Sequence, residues 1–342
     1  MGKKETILVT GGAGFIGTNF IKYVFKNYKD KYRIINLDAL TYAGNRENLK
    51  EFEDTKDYRF VYGNIADEKI VEECIRDADY VINFAAETHV DRSIMEAGHF
   101  IQTDVYGVYV LLKTCLKFPV KRFIHISTDE VYGEAGDKQC NEDSPLRPKS
   151  PYAASKTGGD RLAYSFFTTY KLPVVITRCV NNFGPYQYPE KQIPLFITNS
   201  LEKKKMPVYG NGLNKREWIY VDDHCDAIMF LLEYKKDISG EVFNIGTGIE
   251  RTILENANLI EKILKIKDNI EFVKDRPGHV IRHSVDCTKL KKLGWRASEN
   301  SFFKDFENTV NWYIKNTKWW TKIKNKSKDY LEYYKKQYKA VP

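Results

Sequence analysis

Two pairs of side chains in this sequence are suited to proton transfer, and the first is a pair of adjacent carboxyl groups. Asp129 and Glu130 follow an apolar run within the segment HISTDEVYG (125–133). Adjacent carboxylates repel each other, which raises one pKa and leaves a protonated acid beside an ionised base. Neighbouring positions at the end of a strand can reach neighbouring atoms of one substrate. The residues alone do not assign which is the acid and which the base.

The second pair is a tyrosine and a lysine. Tyr152 and Lys156 are four residues apart in a helical pattern preceded by Pro151, so both lie on one helical face. An ammonium group beside a phenol stabilises the phenolate, which lowers the phenol pKa and makes a base for an alcohol proton. A surface pair is the commoner explanation of this spacing alone. Thr128 on the preceding strand and the glycine pattern described next favour the chemical interpretation.

A glycine-rich turn near the N-terminus is typical of dinucleotide binding. The segment TGGAGFIG (10–17) follows an apolar strand pattern, opens a helix and contains G-x-G-x-x-G at Gly12, Gly14 and Gly17. Such glycines let backbone N–H groups approach a pyrophosphate at the helix N-terminus. The next strand pattern ends in Asp38, where a carboxylate accepts from both ribose hydroxyls and repels a 2′-phosphate. The sequence therefore predicts NAD rather than NADP; the alternative is that Asp38 only caps the next turn.

Apolar runs alternate with amphipathic segments along most of the chain, as in a parallel sheet covered on both faces. We predict helices at Phe15–Tyr28, Glu68–Asp77, Asp104–Lys117, Pro151–Tyr170 and His224–Tyr234. We predict strands at Thr6–Thr10, Arg33–Asp38, Arg59–Tyr62, Tyr80–Ala85, Arg122–Ser127, Val174–Arg178 and Val242–Ile245. The expected fold is α/β, a Rossmann-type doubly wound parallel sheet with a smaller, mostly C-terminal lobe. Ligands of such sheets bind beyond the carboxyl ends of the strands, where Asp129 and Glu130 would lie.

The pattern also divides the chain. Residues 1–186 are predicted to form the dinucleotide-binding domain, with 222–246 returning to it. Residues 187–221 and 247–342 are predicted to form the substrate-binding lobe and a basic, aromatic C-terminal tail. At 342 residues the chain is long enough for this arrangement.

The distribution of charge and cysteine argues against a nucleic-acid-binding, metal-binding or membrane-spanning protein. The net charge is +8, but the segment from Lys315 onward holds nine lysines against Asp329 and Glu332, a surplus of seven, so no broad basic face for nucleic acid is expected. A helical end docked by its aromatic residues is the preferred interpretation of this tail; a partner or polyanion site is the alternative. The six cysteines form no C-x-x-C pair, the histidines show no metal-binding spacing, and no apolar run could cross a membrane. We expect a cytoplasmic protein without metal.

Taken together, these motifs resemble the extended short-chain dehydrogenase/reductase family, and within it the nucleotide-sugar 4,6-dehydratases. The resemblance covers about residues 6–313 and rests on FAAETHVDRSI (84–94), STDEVYG (127–133), SPYAASK (150–156), NNFGPYQYPEKQIP (181–194), PVYGNG (207–212) and DRPGH (275–279). Epimerases and decarboxylases of the same superfamily usually lack the Thr-Asp-Glu run. That run favours a dehydratase.

The resemblance implies an NAD-dependent lyase of deoxysugar biosynthesis. Its expected substrate is dTDP-glucose, with UDP-glucose as the alternative, and its expected product the 4-keto-6-deoxy sugar. The reaction oxidises C4, eliminates water across C5–C6 and returns the hydride to C6. By resemblance, Glu130 is the base and Asp129 the acid of the elimination, and Thr128, Tyr152 and Lys156 assist hydride transfer.

The resemblance also transfers two sets of binding residues. Those for NAD are Gly11, Gly14, Phe15, Ile16, Gly17, Asp38, Ala39, Leu40, Thr41, Asn64, Ile65, Phe84, Ala85, Ala86, Thr103, Tyr152, Lys156 and Asn182. Those for the nucleotide sugar are Thr88, Thr128, Asn181, Lys191, Gln192, Pro207, Val208, Tyr209, Arg216, Asn244, Asp275, Arg276 and His279. Lys191, Arg216 and Arg276 are chemically suited to a diphosphate.

Four positions depart from the usual pattern of the family. Asn64 stands where an Asp commonly faces the adenine, and Asp104 where an Asn is usual. Val180 and Phe183 replace a Ser and a Tyr on either side of Asn181 and Asn182. The resemblance further implies a homodimer formed through a four-helix interface of the helices 104–117 and 151–170. The first is apolar at Val105, Val108, Leu111, Leu112 and Cys115.

Two other functions are compatible with parts of this sequence. A nucleotide-sugar epimerase or decarboxylase would share everything except a need for Asp129 and Glu130. An NAD-binding sensor or scaffold would need no acid–base pair at all. The intact set of Thr128, Asp129, Glu130, Tyr152 and Lys156 argues against the sensor.

Overall fold

A computed structural model describes residues 4–28, 30–275, 278–298 and 302–338, so the predicted substrate residue Arg276 lies outside the described residues. The strands are β1 Glu5–Thr10, β2 Tyr32–Asp38, β3 Tyr58–Tyr62, β4 Tyr80–Asn83, β5 Arg122–Thr128, β6 Val174–Cys179, β7 Asn181–Phe183, β8 Met206–Tyr209, β9 Lys215–Tyr220, β10 Val242–Ile245, β11 Glu250–Thr252, β12 Ile270–Val273 and β13 Arg282–His283. The α-helices are α1 Phe15–Tyr28, α2 Glu68–Ile75, α3 Val90–Met95, α4 Gly98–Ile101, α5 Val108–Lys117, α6 Pro151–Tyr170, α7 Gln192–Leu201, α8 Val221–Glu233, α9 Ile253–Leu264, α10 Thr288–Leu293, α11 Phe302–Lys315, α12 Thr317–Lys326 and α13 Lys328–Tyr338.

The main sheet has seven parallel strands in the order β10-β6-β5-β4-β1-β2-β3. The chain runs outward from β1 to β3, then returns to the other side of β1 for β4, β5 and β6. The strand order therefore reverses between β1 and β4, and this reversal opens a crevice at the carboxyl ends of the strands. The predicted Rossmann-type fold is confirmed, and the predicted strand Val242–Ile245 forms the edge of this sheet.

Apolar side chains cover both faces of the sheet, which is why the strands are nearly continuous hydrophobic runs. On one face, Phe20 and Ile21 of α1 and Ile228 of α8 pack against alternate strand residues. On the other face, α2, α5 and α6 bury a second set of side chains, among them Leu111 and Ala163. Strand residues of opposite parity supply each cluster, as the two-residue period of a strand requires.

One predicted helix differs from its expected form. The segment predicted as a helix over 104–117 begins with a π-helical turn at Gln102–Gly107, and α5 starts only at Val108. The apolar residues Leu111, Leu112 and Cys115 pack into the core of the same chain. The exposed apolar residues of α5 and α6 are different ones, because they lie on the opposite side of each helix: Tyr109, Leu116, Tyr164 and Tyr170.

The second lobe is built around two smaller sheets. Strand β9 pairs with β11 and β13 and also with β7, while β8 pairs with β12. A third apolar cluster holds this lobe together and includes Phe183, which contacts Trp218, Phe302 and Phe306. Phe183 is thus a core residue of the lobe. The proposed domain boundaries stay a prediction.

Across the described ranges no helix is long and apolar enough to cross a membrane. All six cysteines lie within those ranges, and each is a free thiol.

A buried ion pair joins α6 to β6. Arg178 Nε and Nη2 donate to the two carboxylate oxygens of Asp160 at 2.9 and 3.0 Å, and both side chains are almost wholly removed from solvent. Arg178 Nη1 also donates to Tyr132 Oη at 2.8 Å. The guanidinium lowers the pKa of Asp160 although burial opposes this. The pair fixes the helix that carries Tyr152 and Lys156 above the end of the sheet.

We predict that Asp160→Asn lowers the free energy of unfolding by about 3–5 kcal/mol, because Arg178 then keeps a buried charge without its counter-charge. Urea denaturation of the purified variant measures this loss. The double variant Asp160→Leu/Arg178→Met removes both charges and should be less destabilised than Asp160→Asn. A loss below about 1 kcal/mol for Asp160→Asn would contradict the importance of the pair.

Candidate active site

A single cavity at the carboxyl ends of β1, β2, β4, β5 and β6, called here the central cavity, brings together most of the residues singled out in the sequence. From the set predicted for the dinucleotide, its wall contains Gly11, Gly14, Phe15, Ile16, Gly17, Asp38, Ala39, Thr41, Asn64, Ile65, Phe84, Ala85, Ala86, Thr103, Tyr152, Lys156 and Asn182. The remaining predicted residues in the wall are Thr88, Thr128, Asp129, Glu130, Asn181 and Lys191. Their individual roles stay predictions.

The turn needs glycine because other backbone segments pack closely against it. Gly11 has φ +69°, and a Cβ there would come within 2.7 Å of the Ala85 backbone. A Cβ at Gly17 would lie 2.4 Å from the Gly11 carbonyl oxygen. Side chains at either position would push α1 away from β1 and β4. The turn therefore brings the N-terminus of α1 to the cavity, where backbone N–H groups and the helix dipole favour an anion.

Asp38 both supports this turn and faces the cavity. Its Oδ2 accepts from the Ala13 N–H at 2.8 Å and its Oδ1 from the Leu40 N–H at 2.7 Å. Burial raises the pKa of Asp38, and the two backbone donors oppose this rise. Each carboxylate oxygen keeps a further lone pair for a hydroxyl donor. Leu40 supplies this N–H without lining the cavity.

The Thr-Asp-Glu run forms the turn at the end of β5. Thr128 is the N-cap of a short 3₁₀ helix, Asp129–Tyr132, and its Oγ1 accepts from the Glu130 N–H at 3.2 Å. The same hydroxyl donates to Asp129 Oδ1, also at 3.2 Å. Because the strand stops at Thr128, the two acids project from successive positions of the turn into the cavity.

Asp129 is strongly shifted towards its protonated form. Burial is the main cause of its raised pKa, followed by the charges of Glu130 and Glu217, while Arg216 acts in the opposite direction. Asp129 Oδ2 is buried without a hydrogen-bond partner among the described residues. Glu130 is more accessible to solvent. The expected repulsion by Glu130 does raise the pKa of Asp129, but burial contributes more than this repulsion.

Tyr152 and Lys156 lie on one face of α6, as predicted, but the pKa of Tyr152 differs from the expectation. Burial raises it well above its usual value, and the charges of Glu130 and Asp104 add to the rise. A hydrogen bond with Thr128 opposes it. Lys156 Nζ donates to the Ile126 carbonyl oxygen at 2.7 Å, and burial lowers the lysine pKa. The prediction of a lowered Tyr152 pKa is therefore wrong for the chain by itself, because desolvation outweighs the ammonium charge.

Asp104 connects three segments beneath these catalytic candidates. Its Oδ1 accepts from the Glu87 N–H at 3.0 Å and its Oδ2 from the Ser155 hydroxyl at 2.6 Å. Burial raises the pKa of Asp104 to about 6, although Lys156 opposes the shift. Burial and Asp104 raise the pKa of Glu87 to about 7. The departure from Asn at this position thus places an extra titrating carboxyl beside the Tyr152–Lys156 pair.

Two substrate candidates in the cavity contact each other. Lys191 Nζ donates to the Thr88 carbonyl oxygen at 2.6 Å, and burial lowers the lysine pKa although Glu190 and Glu130 oppose this. Asn181 Nδ2 is buried without a hydrogen-bond partner among the described residues. An unused donor and a buried cation on one wall suit a polar or anionic ligand. Gln192, the first residue of α7, lies next to Lys191.

The other predicted substrate residues lie outside the cavity wall. Pro207, Val208 and Tyr209 belong to β8, Asp275 and His279 lie in the segment after β12, and His279 Nδ1 is 2.6 Å from Asp275 Oδ1. Arg216 on β9 donates to the Val280 carbonyl oxygen at 2.9 Å. The side chain of Asn244 bonds to Tyr132 Oη and to the carbonyl oxygens of Cys140 and Asp286, which joins β10 to two loops. Substrate contact by these residues stays a prediction.

The cavity wall also holds residues that are not among the predicted ones, including Ser127, Cys179, Gln187, Tyr188 and His224. Ser127, Gln187 and Tyr188 lie within the segments STDEVYG and NNFGPYQYPEKQIP, so the resemblance of those segments could have indicated them. His224 Nδ1 lies 2.9 Å from Asn182 Oδ1, across 42 positions of sequence. No local pattern indicates that contact.

A family model described as GDP-mannose 4,6 dehydratase matches residues 8–310. The chain belongs to this family. The match covers the main sheet, apart from the first three residues of β1, and most of the second lobe.

Two individual proteins and one solved structure show what the chain is similar to. It is 50% identical over 312 residues to a low-salt glycan biosynthesis protein of Haloferax volcanii, covering 90% of this chain and 98% of that protein. It is 46% identical to a dTDP-glucose 4,6-dehydratase of Streptomyces niveus, covering 93% and 96% of the two chains. Its fold is similar to the crystal structure of the dTDP-glucose 4,6-dehydratase DesIV from Streptomyces venezuelae with NAD and dTDP bound, at a TM-score of 0.90, 44% identity and coverage of 93% and 99%.

The raised pKa of Asp104 generates a prediction about stability. A carboxyl group with pKa about 6 when folded and 3.8 otherwise holds more protons in the folded chain between these values, so the free energy of unfolding falls as pH rises through that window. Asn cannot titrate but can keep both hydrogen bonds. The stability of Asp104→Asn relative to the unmodified chain should therefore increase by about 2–3 kcal/mol from pH 4 to pH 7. Urea denaturation at several pH values measures it, and parallel pH profiles would contradict it.

Proposed function

We propose that this chain catalyses the NAD-dependent dehydration of dTDP-glucose to dTDP-4-keto-6-deoxyglucose, as a hydro-lyase of deoxysugar biosynthesis. The observation that carries the proposal is the buried Asp129, whose pKa burial raises, beside the more accessible Glu130 in the same cavity as Tyr152 and the glycine turn. Oxidation alone needs only one base. An added acid–base pair is what an elimination requires.

The residues around the glycine turn fit a dinucleotide. Gly11 and Gly17 leave a cradle that side chains would fill, and the N-terminus of α1 points into the cavity. Asp38 keeps lone pairs for two ribose hydroxyls, which favours NAD over NADP. When bound, NAD supplies the acceptor of the C4 hydride and the donor to C6, and its oxidised ring adds a positive charge to the cavity that Tyr152 lines.

In the first half of the reaction, Tyr152 takes the proton of the C4 hydroxyl. Lys156 sits one helical turn away and supplies a positive charge, which favours the phenolate once a further cation reduces the effect of the surrounding carboxylates. Thr128 hydrogen-bonds Tyr152 and can also bond the C4 oxygen. The C4 carbon becomes a ketone, and the C5 proton becomes acidic.

In the second half, Glu130 removes the C5 proton while Asp129 gives its proton to the departing C6 hydroxyl. One water leaves and a C5–C6 double bond forms. Glu130 then returns its proton to C5 as the hydride reaches C6. Tyr152 releases the proton that it took from the C4 hydroxyl and Asp129 regains one, so the net change is the loss of one water. Lys191, whose pKa is influenced by Glu130, lies on the same wall and can bind the sugar or the phosphate that carries it.

The choice of dTDP rests on similarity to named dTDP-glucose 4,6-dehydratases. UDP-glucose is the alternative nucleotide sugar. A nucleotide-sugar epimerase is the alternative reaction. We further propose that the protein acts in the cytoplasm, where its six free thiols stay reduced.

The separate roles proposed for Glu130, Asp129 and Tyr152 predict how variants at these three positions behave. Glu130→Gln cannot accept the C5 proton and Asp129→Asn cannot donate to the leaving hydroxyl, so product formation should fall by about two to four orders of magnitude. Both variants should still build up the absorbance of reduced nicotinamide when dTDP-glucose is added. Tyr152→Phe should show neither absorbance change nor product, because the C4 hydroxyl keeps its proton.

Stopped-flow absorbance and an alkali assay for the 4-keto-6-deoxy sugar measure these outcomes, with UDP-glucose tested in parallel. Normal turnover of dTDP-glucose by both acid variants, without a 4-keto-6-deoxy product, would favour the epimerase. Loss of nicotinamide reduction in folded, substrate-binding Glu130→Gln and Asp129→Asn would contradict the separate roles. Equal or faster turnover of UDP-glucose would overturn the choice of nucleotide.

We also propose a homodimer through α5 and α6. The exposed rings of Tyr109 and Tyr164 lie on these neighbouring helices, together with exposed Leu116 and Tyr170. Exposed apolar surface of this kind marks association sites.

The proposed dimer predicts that the unmodified chain and a variant altered in the contact differ in mass in solution. Light scattering should give twice the 39.9 kDa chain mass for the unmodified chain and the single mass for Tyr109→Glu/Tyr164→Glu, because the double variant buries two charges in the contact. Tyr62→Glu, at an exposed position on β3, should leave the dimer intact. A single chain mass for the unmodified protein at micromolar concentration would contradict the dimer.

A further inference from the structure

The C-terminal helices lie beyond the part of the chain that the family model describes. That match ends at residue 310, within α11, whereas α12 and α13 extend to Tyr338. The match with the Haloferax volcanii relative spans 98% of that protein but 90% of this chain. This chain therefore carries residues additional to what the two proteins share. The reaction proposed above uses none of the residues of α13.

Two side chains of α13 join a hydrogen-bonded network around Tyr209. Gln337 Nε2 donates to Tyr209 Oη at 2.6 Å, and Tyr209 Oη donates to Asp91 Oδ2 at 3.3 Å. Tyr333 Oη donates to the same Asp91 oxygen at 3.2 Å. Asp91 belongs to α3, which follows β4 of the main sheet, whereas Tyr209 ends β8 of the second lobe. α13 thus joins the two sides of the molecule.

The same helix packs against residues of the cavity wall. The Tyr333 ring meets the His89 ring edge to face at 5.1 Å, and the Tyr330 ring lies 6.2 Å from that of Tyr188. His89 and Tyr188 both line the central cavity. The Arg92 guanidinium lies 4.8 Å from the centre of the Tyr333 ring. These contacts place α13 directly behind the Thr88 end of the cavity.

Burial shows that α13 is packed firmly against this wall. Tyr330 and Tyr333 are only 2% and 4% exposed, although they belong to a lysine-rich segment. Lys324 of α12 anchors the segment by donating to Glu202 and Asn199, both at 2.9 Å. The interpretation of the tail as a helical end docked by its aromatic residues is confirmed. Lys328, Glu332 and Lys335 of the same helix are exposed.

We propose that α13 is a clasp for the nucleotide-sugar end of the active site, in which Gln337 and Tyr333 are positioning residues that hold Tyr209. The inference rests on the proposed function, because Tyr209 is a substrate residue only by resemblance. The Tyr209 ring also meets His279 edge to face at 6.2 Å. Orienting Tyr209 therefore orients both segments, PVYGNG and the part around His279, that are assigned to the nucleotide sugar.

The clasp predicts a selective effect on substrate binding. Gln337→Ala removes the hydrogen bond to Tyr209, and Tyr333→Phe removes those of its hydroxyl with Asp91 and His89. Each variant should therefore raise the KM for dTDP-glucose and the Kd for dTDP by about three- to tenfold. The kcat and the amount of NAD released on denaturation should stay within about twofold of the unmodified chain, because α13 touches no group proposed to act in proton or hydride transfer. Lys335→Ala, at an exposed position on the same helix, is the matched control and should leave every value unchanged.

Calorimetric binding of dTDP and steady-state kinetics with dTDP-glucose separate this inference from the proposed function. If the unmodified chain binds dTDP without dehydrating dTDP-glucose, the proposed function fails, and the Kd values still test the clasp. Unchanged KM and Kd in both variants, or an equal change in Lys335→Ala, would overturn the clasp. Tyr333→Phe removes a single oxygen atom and keeps the ring packing, so it tests the network if Gln337→Ala fails to fold. A chain that binds no dTDP would overturn both proposals.

Discussion

The Asp160–Arg178 ion pair is the constraint on which the geometry of the site depends. A twenty-residue helix packed on a sheet by apolar side chains can slide or rotate at modest cost, whereas a buried fork of two hydrogen bonds has one geometry. Asp160 stands one turn after Lys156 on α6, and Arg178 is one residue from the end of β6. The pair therefore fixes the height of the Tyr152–Lys156 face relative to the strand ends that carry Thr128 and its two acids.

Burial, rather than repulsion between charges, is the main cause of the pKa shifts of the acids in and beside the cavity. For Asp129, Asp104 and Glu87, burial is the largest cause of the raised pKa. For Lys156 burial acts in the opposite sense and lowers the pKa, which Asp104 and Asp160 oppose. A parallel sheet produces this environment because helices cover both of its faces and only the strand ends remain for polar groups. The cover of helices that requires apolar strands therefore also raises the pKa of the acids at the strand ends.

The sequence predicts best what depends on local periodicity and chain direction. The seven strands of the main sheet, α1 and α6 follow from apolar runs and their spacing, and the reversal of strand order then brings Gly11, Asp38 and Asp129 to one cavity. The π-helical turn at Gln102–Gly107 was not predicted, because its residues continue the helical pattern without a Pro or Gly break before Gly107. The pKa of Tyr152 was predicted in the wrong direction, since a local Tyr–Lys spacing carries no information about desolvation by distant segments.

Contacts between distant segments explain why the C-terminal tail was the least predictable part. Its composition indicates a docked aromatic helix, but the docking partner is set by tertiary structure: Tyr333 reaches Asp91 across 242 positions, and Gln337 reaches Tyr209 across 128. Such pairs close long loops, and the loss of chain entropy on closure must be offset by several contacts made together. The buried rings of Tyr330 and Tyr333 supply that apolar contribution, and the hydrogen bonds then select the register. An aromatic surface thus provides the affinity of the tail for the body of the protein, and the polar groups at its edge determine which residues of the site it holds.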